Sequence, residues 1–126
     1  MVRRALRERK VPVWSPDSMA RAAKLPATWD LTSDSLAAWL TGAIGASRLI
    51  LIKHGEFPAK GVAIGKLVAD GVVDPLFPRY VGDCGLKVSI AGPGDSFRLA
   101  SELRGRAFPE ILRPNRSIRS LEPAAE

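Results

Sequence analysis

The residues of this chain best suited to chemistry are the triplet Thr32-Ser33-Asp34 and, further along, Lys53. The triplet stands at the start of a segment with helical apolar spacing, and the free N–H groups of a helix N-terminus attract anions. Asp34 is not itself a phosphate ligand, but it can orient a lysine or hold a magnesium-bound water. Lys53 ends an apolar run, so its ammonium can reach a phosphate while its stem is partly buried. These residue types predict a site for a phosphorylated ligand.

The same residues also fit a purely structural interpretation. Thr32, Ser33 and Asp34 are residue types that accept the free N–H groups of a starting helix. Lys53 is equally compatible with a surface lysine whose stem lies along apolar surface. Residue chemistry alone leaves both interpretations open.

Two secondary-structure elements must position these residues. The first is a helix that Gly45 can end. Its apolar positions recur at Leu36, Ala37, Leu40 and Ile44. The second is a strand at 48–52, an apolar run without alternation, so both of its faces are expected to be covered, as in a mostly parallel sheet. Ligands of open α/β sheets bind beyond the carboxyl ends of the strands, which predicts that Lys53 and the start of the helix share one edge.

The remaining predicted elements alternate between strands and helices. They are a basic helix at 2–10, a strand at 11–14, helical turns at 17–23, a helix at 62–71, a helical turn at 76–80, an alternating strand at 86–90, a helix at 97–103 and an edge strand at 110–113. This order favours an α/β fold, a three-layer αβα sandwich with a mostly parallel sheet. We expect a basic segment at 1–10, one domain at 11–113 and a flexible tail at 114–126.

Composition argues against several other classes of protein. No apolar run approaches the roughly 18–20 residues that a membrane helix needs. The single cysteine fits a reducing cytosol, and a single histidine without clustered cysteines argues against a bound zinc or any other metal site of the protein's own. The net charge of +6 is concentrated at the two ends of the chain, but aromatic residues are not interleaved with the basic ones, which argues against a nucleic-acid surface. Trp14, Trp29 and Trp39 are predicted to pack in the core or at its rim.

Five stretches of the chain together resemble a known family. Residues 32–40 (TSDSLAAWL) and 46–53 (ASRLILIK) resemble the carboxyl-terminal, nucleotide-binding half of the amino acid kinase superfamily, which includes the aspartate, acetylglutamate and uridylate kinases. Residues 13–16 and 25–30, and the stretch 65–78 (GKLVADGVVDPLFP), look most like its small uridylate kinase-like branch, some members of which phosphorylate an aminomethylfuran alcohol. The resemblance covers roughly residues 10–113.

The resemblance implies roles for particular residues. In that family the aspartate of the first segment orients lysines around the transferred phosphoryl group, which implies a catalytic Asp34. Thr32 and Ser33, with Trp29 just before them, would lie near the substrate. The loop after the next strand meets the nucleotide in that family, which implicates Lys53 and the residues that follow it. These are His54, Gly55 and Lys60.

The resemblance further implies an ATP-dependent small-molecule kinase, with Mg²⁺ carried by the nucleotide, in the cytoplasm and in an oligomer. The family begins with a lysine-bearing strand and a Gly-rich phosphate loop, and nothing before Val11 matches that element. Phosphoryl transfer depends on positioning and charge neutralisation, so we expect a truncated or split form that needs a separate chain with the N-terminal lobe. The alternative is a catalytically inactive, kinase-fold interaction or scaffold protein.

Overall fold

A two-stranded parallel sheet lies at the centre of the fold. The computed structural model describes residues 2–55, 62–82 and 86–103. Within these ranges the helices are α1 (Val2–Arg7), α2 (Asp17–Ala22), α3 (Ser33–Ile44), α4 (Ile64–Ala69), α5 (Phe77–Gly82) and α6 (Ser96–Leu103). The strands are β1 (Arg48–Ile52) and β2 (Lys87–Ala91), and a 3₁₀ turn, Pro93–Asp95, precedes α6. The chain is therefore a mixed α/β protein.

The strands pair in parallel, with Leu49 opposite Val88 and Leu51 opposite Ile90. The connection between them contains α4 and α5, which is the type of crossover that parallel strands require. The predicted strand at 11–14 is wrong: this stretch has no regular structure, and the side chains of Val11 and Val13 are almost fully exposed. Pro12 removes a backbone donor there, and no strand lies beside it in the described part of the chain. The predicted edge strand at 110–113 and the tail at 114–126 lie outside the described residues.

Burial along the two strands differs from the prediction. In β1, Leu49 and Leu51 are buried, whereas Arg48 and Ile52 are exposed, so only one face of this strand is covered. In β2, where alternation was expected, Val88 through Ala91 are all buried. The burial of β1 differs from the prediction because, within the described ranges, helices pack against only one of its faces.

Helix α3 forms the other half of the core. It packs against both β1 and α5, and Ala38, whose side chain is fully buried, lets the helix approach them closely. Phe77 on α5 and Ile64 on α4 are the largest side chains sealed in this cluster. The helix ends where the sequence predicts, because Gly45 takes a left-handed conformation with φ of 73° and its N–H donates to the carbonyl of Gly42.

Two of the three tryptophans pack as expected. The rings of Trp14 and Trp39 lie 6.2 Å apart, and the indole N–H of Trp14 donates to the sulfur of Met19 at 3.2 Å, which fastens α2 beside α3. Trp29 does not pack, because its side chain is 95% exposed. The turn that carries it projects the ring into solvent.

The loops that leave the carboxyl ends of β1 and β2 touch each other. The carbonyl oxygen of Gly55 lies so close to Gly92 that a Cβ at position 92 would overlap it. Gly92 itself has an ordinary φ of −104°, so space rather than backbone conformation requires glycine there. This contact fixes the loop after Lys53 against the end of the neighbouring strand.

We therefore expect the Gly92→Ala substitution to lower the free energy of unfolding by about 1–3 kcal/mol, because backbone rather than a flexible side chain must move. Urea titration followed by circular dichroism measures this change. Gly94→Ala is the matched control, since a Cβ there meets no atom within 4 Å. Equal stability of the two variants would show that the loops move apart without cost.

Candidate functional site

Asp34 and Lys53 form an ion pair at the predicted edge of the sheet. The Lys53 Nζ lies 2.7 Å from Asp34 Oδ2. Asp34 is in the first turn of α3, and Lys53 directly follows β1, with its backbone N–H bonded to the carbonyl of Ala91 at 2.8 Å. The expectation that the start of the helix and the end of the strand share one edge is confirmed.

Burial makes this pair different from the surface ion pairs of the chain. The side chain of Asp34 is 9% exposed and that of Lys53 is 24% exposed. A buried carboxylate without a charged partner is strongly destabilising, so Asp34 is expected to hold Lys53 in one place. An ammonium has three donors, and the bond to Asp34 uses one of them. The accessible part of Lys53 is thus a fixed positive charge that can meet an anion arriving from solvent.

Asp74 is the residue of this region that the sequence reasoning missed. Its Oδ2 accepts hydrogen bonds from the Thr32 N–H at 2.9 Å, the Thr32 hydroxyl at 2.8 Å and the Ser35 N–H at 3.0 Å. The Ser35 hydroxyl donates to the other oxygen, Oδ1. No local sequence pattern predicts this contact, because Asp74 lies in a short turn before Pro75, 39 to 42 positions from its partners.

These contacts decide the charge state of Asp74. Burial alone would raise the pKa of its carboxyl, but the hydrogen bonds from Ser35 and Thr32 favour the ionised form, and the net effect lowers the pKa below its ordinary value of 3.8. The charge is well placed, since it lies at the positive end of the α3 dipole.

The N-terminus of α3 is therefore capped differently from the prediction. Thr32 occupies the capping position, but its side chain makes no capping hydrogen bond and donates to Asp74 instead. The Ser35 N–H is likewise taken by Asp74. A carboxylate of the protein thus fills part of the position where the sequence predicted a ligand anion, and Lys53 is the group left to face one.

The other predicted site residues lie around this edge in different environments. Ser33 and Trp29 are exposed just before or at the start of α3. His54 is exposed directly after Lys53, and Gly55 follows it in the loop that touches Gly92. Lys60 lies outside the described residues.

No group of three or more His, Cys, Asp or Glu side chains is arranged to hold a metal ion within residues 2–55, 62–82 and 86–103. Every helix in those ranges is too short or too polar to cross a membrane. A shallow depression lies at the far end of α3, away from Asp34, and is lined by Arg3, Leu6, Arg7, Ile44 and Gly45.

Comparison of the chain with protein-family models, with curated proteins and with solved structures found no match in any of the three.

The depressed pKa of Asp74 predicts a specific acid sensitivity. A carboxyl whose pKa is lower in the folded than in the unfolded chain stabilises the fold above the unfolded value, and this stabilisation is lost as the pH falls from about 4 through the folded value. We expect Asp74→Asn to unfold more easily than the parent by about 1–3 kcal/mol at pH 7, with a smaller difference at low pH.

Urea titrations at several pH values between about 7 and 2.5 measure this difference. Asp70→Asn is the control, because Asp70 is an exposed carboxylate paired only with Lys66 across one turn of helix. A difference between Asp74→Asn and the parent that does not shrink with falling pH would contradict the assignment.

Proposed function

We propose that this chain supplies the nucleotide-binding half of an ATP-dependent small-molecule kinase of the amino acid kinase type. The observation that carries the proposal is the buried Asp34–Lys53 pair at the carboxyl end of a parallel strand, beside the start of a helix. That edge is where open α/β sheets bind ligands, and a lysine held by a carboxylate is a suitable contact for a phosphate.

Lys53 acts in this proposal as the charge that meets the phosphates of ATP. Asp34 acts by orienting Lys53, so that the ammonium does not have to be ordered when the nucleotide arrives. Bound Mg²⁺ supplies neutralisation of the phosphate charge. In this proposal the ion comes with the nucleotide, and Asp34 is a carboxylate that could hold one of its waters.

The neighbouring residues divide between the nucleotide and the acceptor. His54, Gly55 and Lys60 follow Lys53 along the chain and are proposed to border the nucleotide. Ser33 and Trp29 are exposed on the helix side and are proposed to border the small-molecule substrate, as is Thr32. The hydroxyl proton of Thr32 is directed at Asp74, so this residue is left to act as an acceptor towards a substrate.

The proposal includes a larger assembly than the described residues form. A two-stranded sheet in which one face of β1 is uncovered is not expected to be stable by itself, so we propose that further strands complete a three-layer αβα sandwich. A Gly-rich phosphate loop is needed for efficient transfer, and it would come from outside these 126 residues, in the same polypeptide or in a separate chain of an oligomer. The single cysteine fits a place in the reducing cytoplasm.

Isothermal calorimetry with Mg-ATP tests the nucleotide site. We expect weak binding by the parent chain, and at least a tenfold rise in Kd for Lys53→Met, because a charge-assisted phosphate contact is worth about 1.5–3 kcal/mol. Asp34→Asn is expected to weaken binding by a smaller factor, because the Lys53 ammonium remains but is no longer oriented by a carboxylate.

The control is the exposed pair formed by Lys66 and Asp70, whose nitrogen and oxygen are also 2.7 Å apart. Lys66→Met and Asp70→Asn make the same chemical changes on the surface of α4 and are expected to leave the Kd unchanged. Equal effects of the two lysine substitutions, or no heat from Mg-ATP with the parent chain, would contradict the proposed function.

A second candidate, a kinase-fold scaffold without catalysis, is favoured by one observation. Several polar groups at the start of α3 have partners within the chain, because Asp34 is paired with Lys53 and the Ser35 N–H is bonded to Asp74. A site built this way can serve stability alone.

For the scaffold, we expect Lys53→Ala and Asp34→Asn to leave the set of bound proteins unchanged, because the pair would face no ligand. Pull-downs with the tagged parent chain and the two variants, checked for folding by circular dichroism, measure this. Loss of a bound protein from both folded variants would count against the scaffold.

A further inference from the structure

Asp34 lies between two residues that are bound to the same carboxylate. Asp74 Oδ2 accepts the backbone N–H of Thr32 at 2.9 Å and that of Ser35 at 3.0 Å. The main chain is therefore held on both sides of Asp34 by one oxygen atom. The direction in which a side chain leaves a helix follows from the position of its backbone, so this contact sets where the Asp34 carboxylate points.

A second contact ties the same two segments together. The Leu76 N–H donates to the carbonyl of Asp30 at 3.1 Å, two residues after Asp74 and two residues before Thr32. The stretch 30–35 is thus bound to the stretch 74–76 at two separate places. A cap supplied by Thr32 itself would have stabilised the helix without fixing it to the rest of the fold.

Lys53 is fixed independently of these contacts. Its backbone N–H continues the ladder of the sheet with a bond to Ala91, so its position depends on β1 and β2. The 2.7 Å contact between Asp34 and Lys53 therefore requires that α3 be held in register with the sheet. Asp74 contributes to this register at the first turn of the helix, in addition to the packing of α3 against β1 and α5.

We propose that Asp74 is a positioning residue, which holds the start of α3 so that Asp34 keeps the Lys53 ammonium aimed at the phosphate of the ligand. The inference rests on the proposed role of Lys53 in binding nucleotide. It assigns to Asp74 an effect on the Asp34–Lys53 pair that a simple helix cap would not have.

Competitive labelling of lysines with acetic anhydride, quantified by mass spectrometry on the folded chain, tests the inference. The measured quantity is the labelling rate of Lys53 relative to Lys66 in the same molecule, so that differences in reagent or overall exposure cancel. We expect Asp74→Asn to raise this ratio about fivefold or more, because a lysine released from a charge-assisted bond is accessible to the reagent more of the time. Asp34→Asn, which removes the charge of the direct partner of Lys53, sets the upper limit of this labelling ratio.

Milder variants keep the test valid where Asp74→Asn disturbs folding. Ser35→Ala and Thr32→Val each remove one hydroxyl donor to Asp74 and are expected to raise the ratio less. Thr32→Ser retains both donors of that residue and is expected to restore the parent value, which a general loss of stability would not produce. Near-ultraviolet circular dichroism confirms that each variant is folded.

The outcomes separate the inference from the proposed function. An Asp74→Asn ratio equal to that of the parent, alongside a raised ratio in Asp34→Asn, would overturn the inference, since Asp74 would then be a cap only. Labelling needs no nucleotide, so an absence of Mg-ATP binding by the parent contradicts the proposed function on its own. An elevated ratio in Asp74→Asn together with a weakened Kd for Mg-ATP supports both.

Discussion

The Asp74 carboxylate is the contact on which the arrangement of this protein most depends. A helix that begins at a buried edge has backbone N–H groups that must find acceptors, and leaving them without partners costs as much as a lost hydrogen bond. Asp74 accepts two backbone N–H groups and two hydroxyls, from Thr32 and Ser35. Since it comes from the connection between the strands, the same bonds that cap α3 also fasten it to the α4–α5 crossover. The same interaction therefore stabilises the start of α3 and fixes its position relative to the crossover.

The sheet imposes the second constraint. Its two parallel strands are covered on the Leu49 and Leu51 side by α3, α4 and α5, whereas Ile52 on the other face of β1 is 67% exposed. Parallel sheets are ordinarily covered on both faces because both faces carry apolar residues. The exposed face of β1 thus gives a physical reason, independent of any family resemblance, for proposing further strands or a further chain beside this one.

Local patterns were sufficient to predict most individual elements. Helical spacing located α3, and the left-handed preference of glycine located its end at Gly45. A continuous apolar run located β1 and an alternating pattern located β2, although the burial along both strands differs from these patterns. The juxtaposition of Asp34 and Lys53 was also predictable, because it follows from the general geometry of α/β sheets. The features that could not be predicted depend on contacts with distant parts of the chain. The stretch 11–14 has extended, apolar residues but lacks a neighbouring strand among the residues that the structure describes. Asp74 contacts partners about forty positions away, which no local sequence period encodes.

Two carboxylates lie near the start of α3, and Asp34 and Asp74 have different roles there. A helix N-terminus would attract a phosphate, but here Asp74 already accepts the N–H of Ser35 and carries the negative charge that the dipole favours. A second anion at that point would meet repulsion from Asp74, so the proposed phosphate contact falls to Lys53, whose side chain is 24% exposed. Asp34 cannot be displaced without leaving its own charge buried and unpaired, which keeps Lys53 near the helix even when a ligand binds. Under the proposed function, the polar edge therefore accepts an anion while the fold keeps the contacts that hold it together.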